Sequence, residues 1–269
     1  MAEVASAVVI GGTSGIGKAI ALRLARAGAQ VIVAGRDAAR GEAVAAEATR
    51  LGAPFARFVA VDVAEPDQVE ALGQQVEDVM GIPEVVVNCA GILQSGKHVL
   101  DQDLAEDERM WRINYRGTLV GAQVFGRMMK RAGRGAILNV GSLASFVPLS
   151  LPSYTPGKQA VQALTGILAA ELGPHGIRVN AVAPGYTLSD GLQARIAAGE
   201  RDPDAILDTT ALKKFVAPQD VAEAALFLCS PRAASITGVT LPVDAGWLVQ
   251  APYAHYLRGN PIRKGQQDE

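Results

Sequence analysis

Cysteine is nearly absent: the 269 residues hold only Cys89 and Cys229, far apart and outside any C-x-x-C or Cys/His grouping. That excludes a disulfide scaffold and a zinc site as organising devices, and it suits a reducing compartment. An excess of either charge is missing too. Lys and Arg number 25 against 27 Asp and Glu, a formal net charge of -2 with a pI of about 6.0. Such a surface has no field for gathering polyanions, so nucleic acid is not an expected partner. No apolar stretch reaches the roughly 18 to 20 uncharged residues that span a bilayer. Residues Met1 to Ala7 lack the basic and long apolar regions of a secretory signal. A soluble, cytoplasmic protein without a membrane partner is expected. Repeats, low-complexity tracts and linkers are also lacking, which leaves no place for a second domain to begin.

What is present is apolar, at 49% hydrophobic against 19% charged residues, so the interior should be large or part of the surface covered by other subunits. Short β-branched runs alternate with helical stretches, the rhythm of a parallel sheet covered on both faces. Strands are predicted at Ala5 to Ile10, Gln30 to Ala34, Phe55 to Val61, Val85 to Asn88, Gly135 to Val140, Arg178 to Ala183 and Val239 to Val243. Helices are predicted at Ile16 to Ala27, Asp37 to Leu51, Asp67 to Val79, Asn114 to Arg131, Ser153 to Leu172 and Gln219 to Cys229. Gly28 and Gly52 sit just past helix ends, and Pro66 and Pro218 near helix starts. The expectation is an α/β fold, a single doubly wound Rossmann-type domain over residues 1–249. Residues 187–214 form a partly helical insertion in the position of a lid, and residues from Gln250 onward a tail.

The first strand runs into Gly11-Gly12-Thr13-Ser14-Gly15-Ile16-Gly17 and then a helix. Glycines at 11, 15 and 17 let the chain turn sharply, let a pyrophosphate approach the backbone, and let the helix pack near the sheet. At the end of the second strand, where an acid would grip the 2′-hydroxyl of NAD, stand Gly35 and Arg36. A guanidinium pairs with a 2′-phosphate that an acid would repel, and Ser14 would add a hydrogen bond, so NADP(H) is favoured and NAD(H) is the alternative. Asp62, with Val63 beside it, is placed either to accept from the adenine amino group or to cap the turn that follows.

Tyr154 and Lys158, four apart on a helix, leave the same face one turn from each other. An ammonium beside a phenol, joined by the positive charge of an oxidised nicotinamide, favours the phenolate and makes the tyrosine a usable base. Ser142 follows the fifth strand, and Asn114 is predicted to begin the long helix before it. In an open parallel sheet these segments converge at the carboxyl edge of the strands, as one site.

With these motifs in order, the chain resembles the short-chain dehydrogenase/reductase family over roughly residues 4–248. The resemblance rests on G-G-T-S-G-I-G at 11–17, N-C-A-G at 88–91, I-N-Y-R-G around Asn114, N-V-G-S ending at Ser142, Y-T-P-G-K at 154–158, I-R-V-N-A-V-A-P-G at 177–185 and V-D-A-G at 243–246. It implies a catalytic tetrad of Asn114, Ser142, Tyr154 and Lys158. Tyr154 would transfer the proton, Ser142 orient the carbonyl, Lys158 bind the nicotinamide ribose, and Asn114 hold a water. It also implies that Asn88 and Gly91 shape the floor under the cofactor, with Ala90 beside the adenosine ribose, and that Pro184, Gly185 and Thr187 meet the carboxamide. Ile10, Cys89, Ser189 and Pro156-Gly157 depart from the usual pattern. Pro156 is tolerable if the helix starts near Ser153, because the first turn has no intrahelical N–H bond to lose.

The wall expected around the substrate, including Ala144, Leu149, Tyr186, Leu188 and Ile196, is apolar. The expected partner is a small alcohol or ketone, of a sugar or keto-sugar kind or a 3-oxoacyl compound. The alternatives are a non-catalytic nucleotide-binding regulator and an isomerase or dehydratase using tightly bound NAD. Small residues on the two long helices, Gly121 and Gly166 among them, and the habit of the family suggest a homotetramer, or a homodimer.

Overall fold

The computed structural model describes residues 4–94 and 98–250. Seven strands, β1 (Ser6–Ile10), β2 (Gln30–Gly35), β3 (Ala56–Ala60), β4 (Val85–Asn88), β5 (Gly135–Val140), β6 (Ile177–Pro184) and β7 (Thr240–Val243), form one parallel sheet in the order β3-β2-β1-β4-β5-β6-β7. The order reverses at β1, so a crevice opens between β1 and β4 at the carboxyl ends of the strands. Around the sheet lie α1 (Gly15–Arg26), α2 (Ala38–Arg50), α3 (Pro66–Met80), α4 (Leu104–Trp111), α5 (Gly117–Ala132), α6 (Tyr154–Leu172), α7 (Asp190–Ala197), α8 (Pro203–Asp208) and α9 (Pro218–Cys229).

Alternation along the strands feeds two separate cores. In β1, Ala7 and Val9 join Ile20, Leu24, Val44 and Val221 on one face, while Val8 and Ile10 join Leu72, Phe125, Leu164 and Val179 on the other. The residues of β1 in both cores are no more than 2% exposed, which is why the sequence reads as continuous Val and Ile rather than alternating polar and apolar. Gly28 and Gly52 end α1 and α2 in the left-handed region, at φ +86 and +110, where a side chain would be strained. Pro66 and Pro218 occupy the first positions of α3 and α9.

The strand bounds and six of the helices agree with the sequence expectation to within two residues, except at the start of α5. Asn114 does not begin that helix. It lies in a π-helical turn, Arg112–Arg116, through which α4 continues into α5. Such a turn leaves carbonyls out of the regular ladder and re-aims the side chains on it.

A buried polar chain pins the centre of the sheet to α6. Asn88 donates to Asn139 (2.9 Å), Asn139 to Thr165 (3.0 Å), and Thr165 to the Val161 carbonyl (2.8 Å). On β6, the half-buried Arg178 guanidinium reaches the carbonyls of Leu228 (2.6 Å), Cys229 (3.1 Å), Ser230 (3.0 Å) and Ile236 (3.4 Å). It thereby satisfies the free end of α9 with a cation where the helix dipole favours one.

Residues 187–214 contain α7 and α8, and a parallel bridge between Thr187 and Val216 closes the segment. Among the described residues no helix is long and apolar enough to cross a membrane, and no group of acidic, histidine and cysteine side chains could hold a metal ion. The expected tail from Gln250 falls almost wholly on 251–269, outside the described residues.

Candidate active site

The turn between β1 and α1 is held against β2 by two N–H groups, Gly11 and Gly12, that both donate to the Ala34 carbonyl (2.8 and 3.2 Å). Gly11 needs its φ of +84, and a Cβ there would lie 2.5 Å from the Ala90 nitrogen. Gly17 sits so close to the turn that a Cβ would lie 2.8 Å from the Gly11 carbonyl carbon. Ser14, extended at the N-cap of α1, does not use its hydroxyl to cap the helix. The helix therefore presents open N–H groups and a free hydroxyl to a crevice of about 320 Å³.

Lining that crevice are Gly11, Thr13, Ser14, Gly15, Ile16, Arg36, Asp62, Val63, Ala90 and Gly91, all expected from the sequence. Gly35, expected beside the ribose, lines it too, and Val61, Cys89, Ile92, Ile113 and Ser189 line it without having been foreseen. Gly17, Asn88, Pro184, Gly185 and Thr187 stand behind or beside it: Gly185 packs on Asp244, and the Thr187 hydroxyl donates to the Gly185 carbonyl (3.1 Å). Asp62 accepts from the Ala64 N–H (3.0 Å), so it does serve the turn after β3, while Glu65 takes the N-cap of α3. Arg36 is exposed at the rim. A dinucleotide fits these residues, since the glycines leave room for a pyrophosphate at the helix start.

Beyond the crevice, Tyr154 (9% exposed) and Lys158 (6%) stand on the first two turns of α6, the lysine nitrogen 5.7 Å from the centre of the tyrosine ring. The Lys158 amine donates to the Val140 carbonyl (2.7 Å), which draws it to the carboxyl edge of the sheet. Pro156 is the third residue of α6, within its first turn. Ser142 caps a 3₁₀ turn, Leu143–Ser145, by accepting from Ala144 (3.2 Å). From the same turn Ser145 donates to the Lys158 carbonyl (3.0 Å), tying the Ser142 loop to α6. Asn114 accepts from the Ile92 N–H (2.8 Å) and donates to the Ile92 carbonyl (3.0 Å). A Cβ at Gly91 would lie 3.3 Å from the Asn114 oxygen and 3.9 Å from the Lys158 nitrogen, so the floor of the crevice and these two side chains meet there. The Cys89 thiol nearby is pushed up to about 11 by burial, with the Lys158 ammonium partly opposing the rise.

Sequence reasoning missed Ser145 and one further residue of this group. Gln94, 3% exposed, accepts from the N–H groups of both Ser153 (2.9 Å) and Tyr154 (3.1 Å). Its partners are 59 and 60 residues away, so no local pattern announces it.

A family model described as enoyl-(acyl carrier protein) reductase matches residues 11–248. The galactitol 2-dehydrogenase (L-tagatose-forming) of Cereibacter sphaeroides is 36% identical, covering 91% of this chain and 95% of its own. Among solved structures, a Brucella melitensis 16M protein described as ribose-5-phosphate isomerase superposes with a TM-score of 0.89 at 40% identity, covering 94% of this chain and 96% of its own. A putative 2-deoxy-D-gluconate 3-dehydrogenase from Agrobacterium tumefaciens, solved with bound NADP, gives 0.83 at 32%, covering 91% and 96%. The chain belongs to the short-chain dehydrogenase/reductase family. It is an NAD(P)-dependent oxidoreductase whose relatives are sugar and alcohol dehydrogenases.

Proposed function

We propose that the protein interconverts a secondary alcohol and its ketone with NADP(H), Tyr154 exchanging the proton at the substrate oxygen. The observation that carries this reading is the pair of buried side chains on α6, an ammonium 5.7 Å from the centre of a phenol ring, next to a glycine-lined crevice. When bound, the nicotinamide supplies or accepts the hydride. The protein's own residues do the rest. Lys158, drawn to the sheet edge by Val140, favours the phenolate by its charge and holds the nicotinamide ribose. Ser142 orients the substrate oxygen on a loop that Ser145 fixes to α6, so acid and orienting group keep one spacing. Asn114 anchors the Ile92 backbone and so fixes the crevice floor beside Lys158. Gly11, Thr13, Ser14, Gly15 and Ile16 receive the pyrophosphate, Asp62, Val63 and Ala90 the adenosine, and Thr187 with Pro184 and Gly185 the carboxamide side.

NADP(H) is the favoured cofactor because Arg36 stands at the end of β2 where no acid opposes a 2′-phosphate. A polyol or keto-sugar is the favoured substrate class, by likeness to the galactitol relative. Residues 187–214 act as the lid over it, and the working protein is a homotetramer.

The test is a turnover screen of polyols, ketoses, aliphatic ketones and 3-oxoacyl thioesters with NADPH, NADH and their oxidised forms, followed at the nicotinamide absorbance band. Tyr154→Phe is expected to lose at least a hundredfold in kcat, the scale of general acid-base catalysis. Undiminished turnover in that variant would sink the proton-transfer role. Conversion of a sugar with no net cofactor change would point instead to isomerisation.

A further inference from the structure

The first turn of α6 carries Tyr154, and its backbone donors can be accounted for one by one. Pro156 has no N–H, and Thr155 donates to the Leu151 carbonyl (2.9 Å). The N–H groups of Ser153 and Tyr154 remain, and neither finds a local partner. Ser153 holds the N-cap position without capping, its buried hydroxyl lacking any partner. Both donors go to one atom, the side-chain Oε1 of Gln94, from the loop that follows β4 three residues past Gly91. The Gln94 amide nitrogen in turn donates to Gln102 (2.6 Å), which fixes which end of the carboxamide faces α6.

Helix starts favour a carboxylate over an amide, because an ionised acceptor bonds more strongly and answers the positive end of the dipole. Here the cap is neutral. The residue it holds is the proposed proton donor, whose anion a neighbouring carboxylate would destabilise. Few other charges face the ring. Lys158 does so from the same helix, and Cys89 lies near Lys158 beyond β4. The neighbouring elements meet the ring with apolar side chains, Met110 of α4, Ala144 of the 3₁₀ turn, and Ile92, Leu149 and Leu151.

We infer that Gln94 is a positioning residue for Tyr154, an uncharged cap that fixes the first turn of α6 against the crevice floor while leaving the phenol free of a negative neighbour. This rests on the proton-transfer reading of Tyr154.

Two substitutions test it in the full chain. Gln94→Glu keeps the acceptor, and Gln102 can reverse its amide to donate to it. A purely structural cap would leave the phenol's titration where it was, whereas the inference expects the Tyr154 phenolate midpoint to rise by roughly one pH unit, as a like charge at an effective dielectric of about 20 produces. The midpoint is read by near-ultraviolet absorbance, with and without NADP⁺, as wild-type minus Tyr154→Phe titrations, each repeated in the Gln94→Glu background. Oxidation at pH 7 of the alcohol found by the screen, the direction that needs the phenolate as base, should fall about tenfold and recover one pH unit higher. Gln94→Met, which removes the acceptor, is expected to lower kcat at every pH with NADPH affinity unchanged; if it does not fold, the glutamate variant decides. An unmoved phenolate midpoint in Gln94→Glu overturns the inference. Full turnover in Tyr154→Phe instead removes the catalytic reading beneath it, and the two failures are separately visible.

Discussion

Gly17→Ala is the smallest change that should separate the phosphate turn from the helix behind it. The added methyl would sit 2.8 Å from the Gly11 carbonyl carbon and closer still to its oxygen. Comfortable carbon contacts begin near 3.5 Å, so α1 must retreat from the turn by roughly 1 Å. That helix cannot slide freely, because Ile20, Ala21, Leu24 and Ala25 are each at most 1% exposed. Overpacking of this kind costs about 1 to 3 kcal/mol, against about 1 kcal/mol regained when alanine replaces glycine within a helix. A net loss of up to about 2 kcal/mol lowers the melting midpoint of a domain this size by up to roughly 8 °C.

The ligand effect should be larger. A displaced helix start no longer aims its N–H groups at the pyrophosphate, so NADPH affinity is expected to fall between tenfold and a hundredfold. The assay is thermal melting with and without NADPH, alongside fluorescence titration of the cofactor. Wild type at a hundred times its Kd gains about 2.7 kcal/mol from the ligand, and the variant at the same concentration gains less than about 1.5. Gly157→Ala is the control, because a Cβ there meets nothing within 4 Å; it should melt at or above wild type. Equal melting and equal NADPH affinity for Gly17→Ala would refute the close-packing argument and the phosphate cradle built on it.

Arg178→Met removes the guanidinium shared by three carbonyls at the end of α9 and by that of Ile236, and is expected to cost about 2 to 3 kcal/mol, seen as a lower urea midpoint with turnover per folded molecule unchanged. Arg36→Asp should move the ratio of kcat/KM for NADPH over NADH by at least tenfold toward NADH; an unchanged ratio removes the NADP(H) assignment. Burial pushes the thiols of Cys89 and Cys229 up from 9.0 to about 11 and about 12. Both are acids with raised folded values, so their stabilisation is complete below pH 9.0 and is lost as pH climbs toward 11 to 12. Melts from pH 8 to pH 11 should therefore fall more steeply for wild type than for the Cys89→Ala, Cys229→Ala double variant, and parallel curves would contradict that sign.

The sheet was legible because its signal is local: runs such as Val85–Asn88 are apolar and β-branched, and glycine or proline marks the ends of their helices. Helix α4 was not, since only Met110 of its eight residues is buried and no apolar period survives; its cue was Asp103, whose carboxylate accepts from Ala105. The π-helical turn under Asn114 has no sequence mark either, because it arises where two helices join. Tyr154 and Lys158 could be paired from their spacing on one helix face. Gln94 and Ser145 could not, since each acts on a segment that only the fold brings near. Ser189 reaches the crevice for the same reason, carried there by the loop that leads into α7.

Where that loop leaves and rejoins the body, the chain is stapled to itself: the Leu188 N–H donates to the Val216 carbonyl (2.9 Å) and the Val216 N–H to the Tyr186 carbonyl (3.0 Å). Thr187 and Val216 are buried at the staple, and the Leu212 N–H adds a third anchor at the Ala245 carbonyl (3.1 Å). Lengthening such a loop costs little once its ends are pinned, only a slowly growing entropy. The ends of residues 188–215 are thus held by backbone bonds that ask for no particular side chain, so the sequence between them can vary while its feet stay on the carboxyl edge of the sheet.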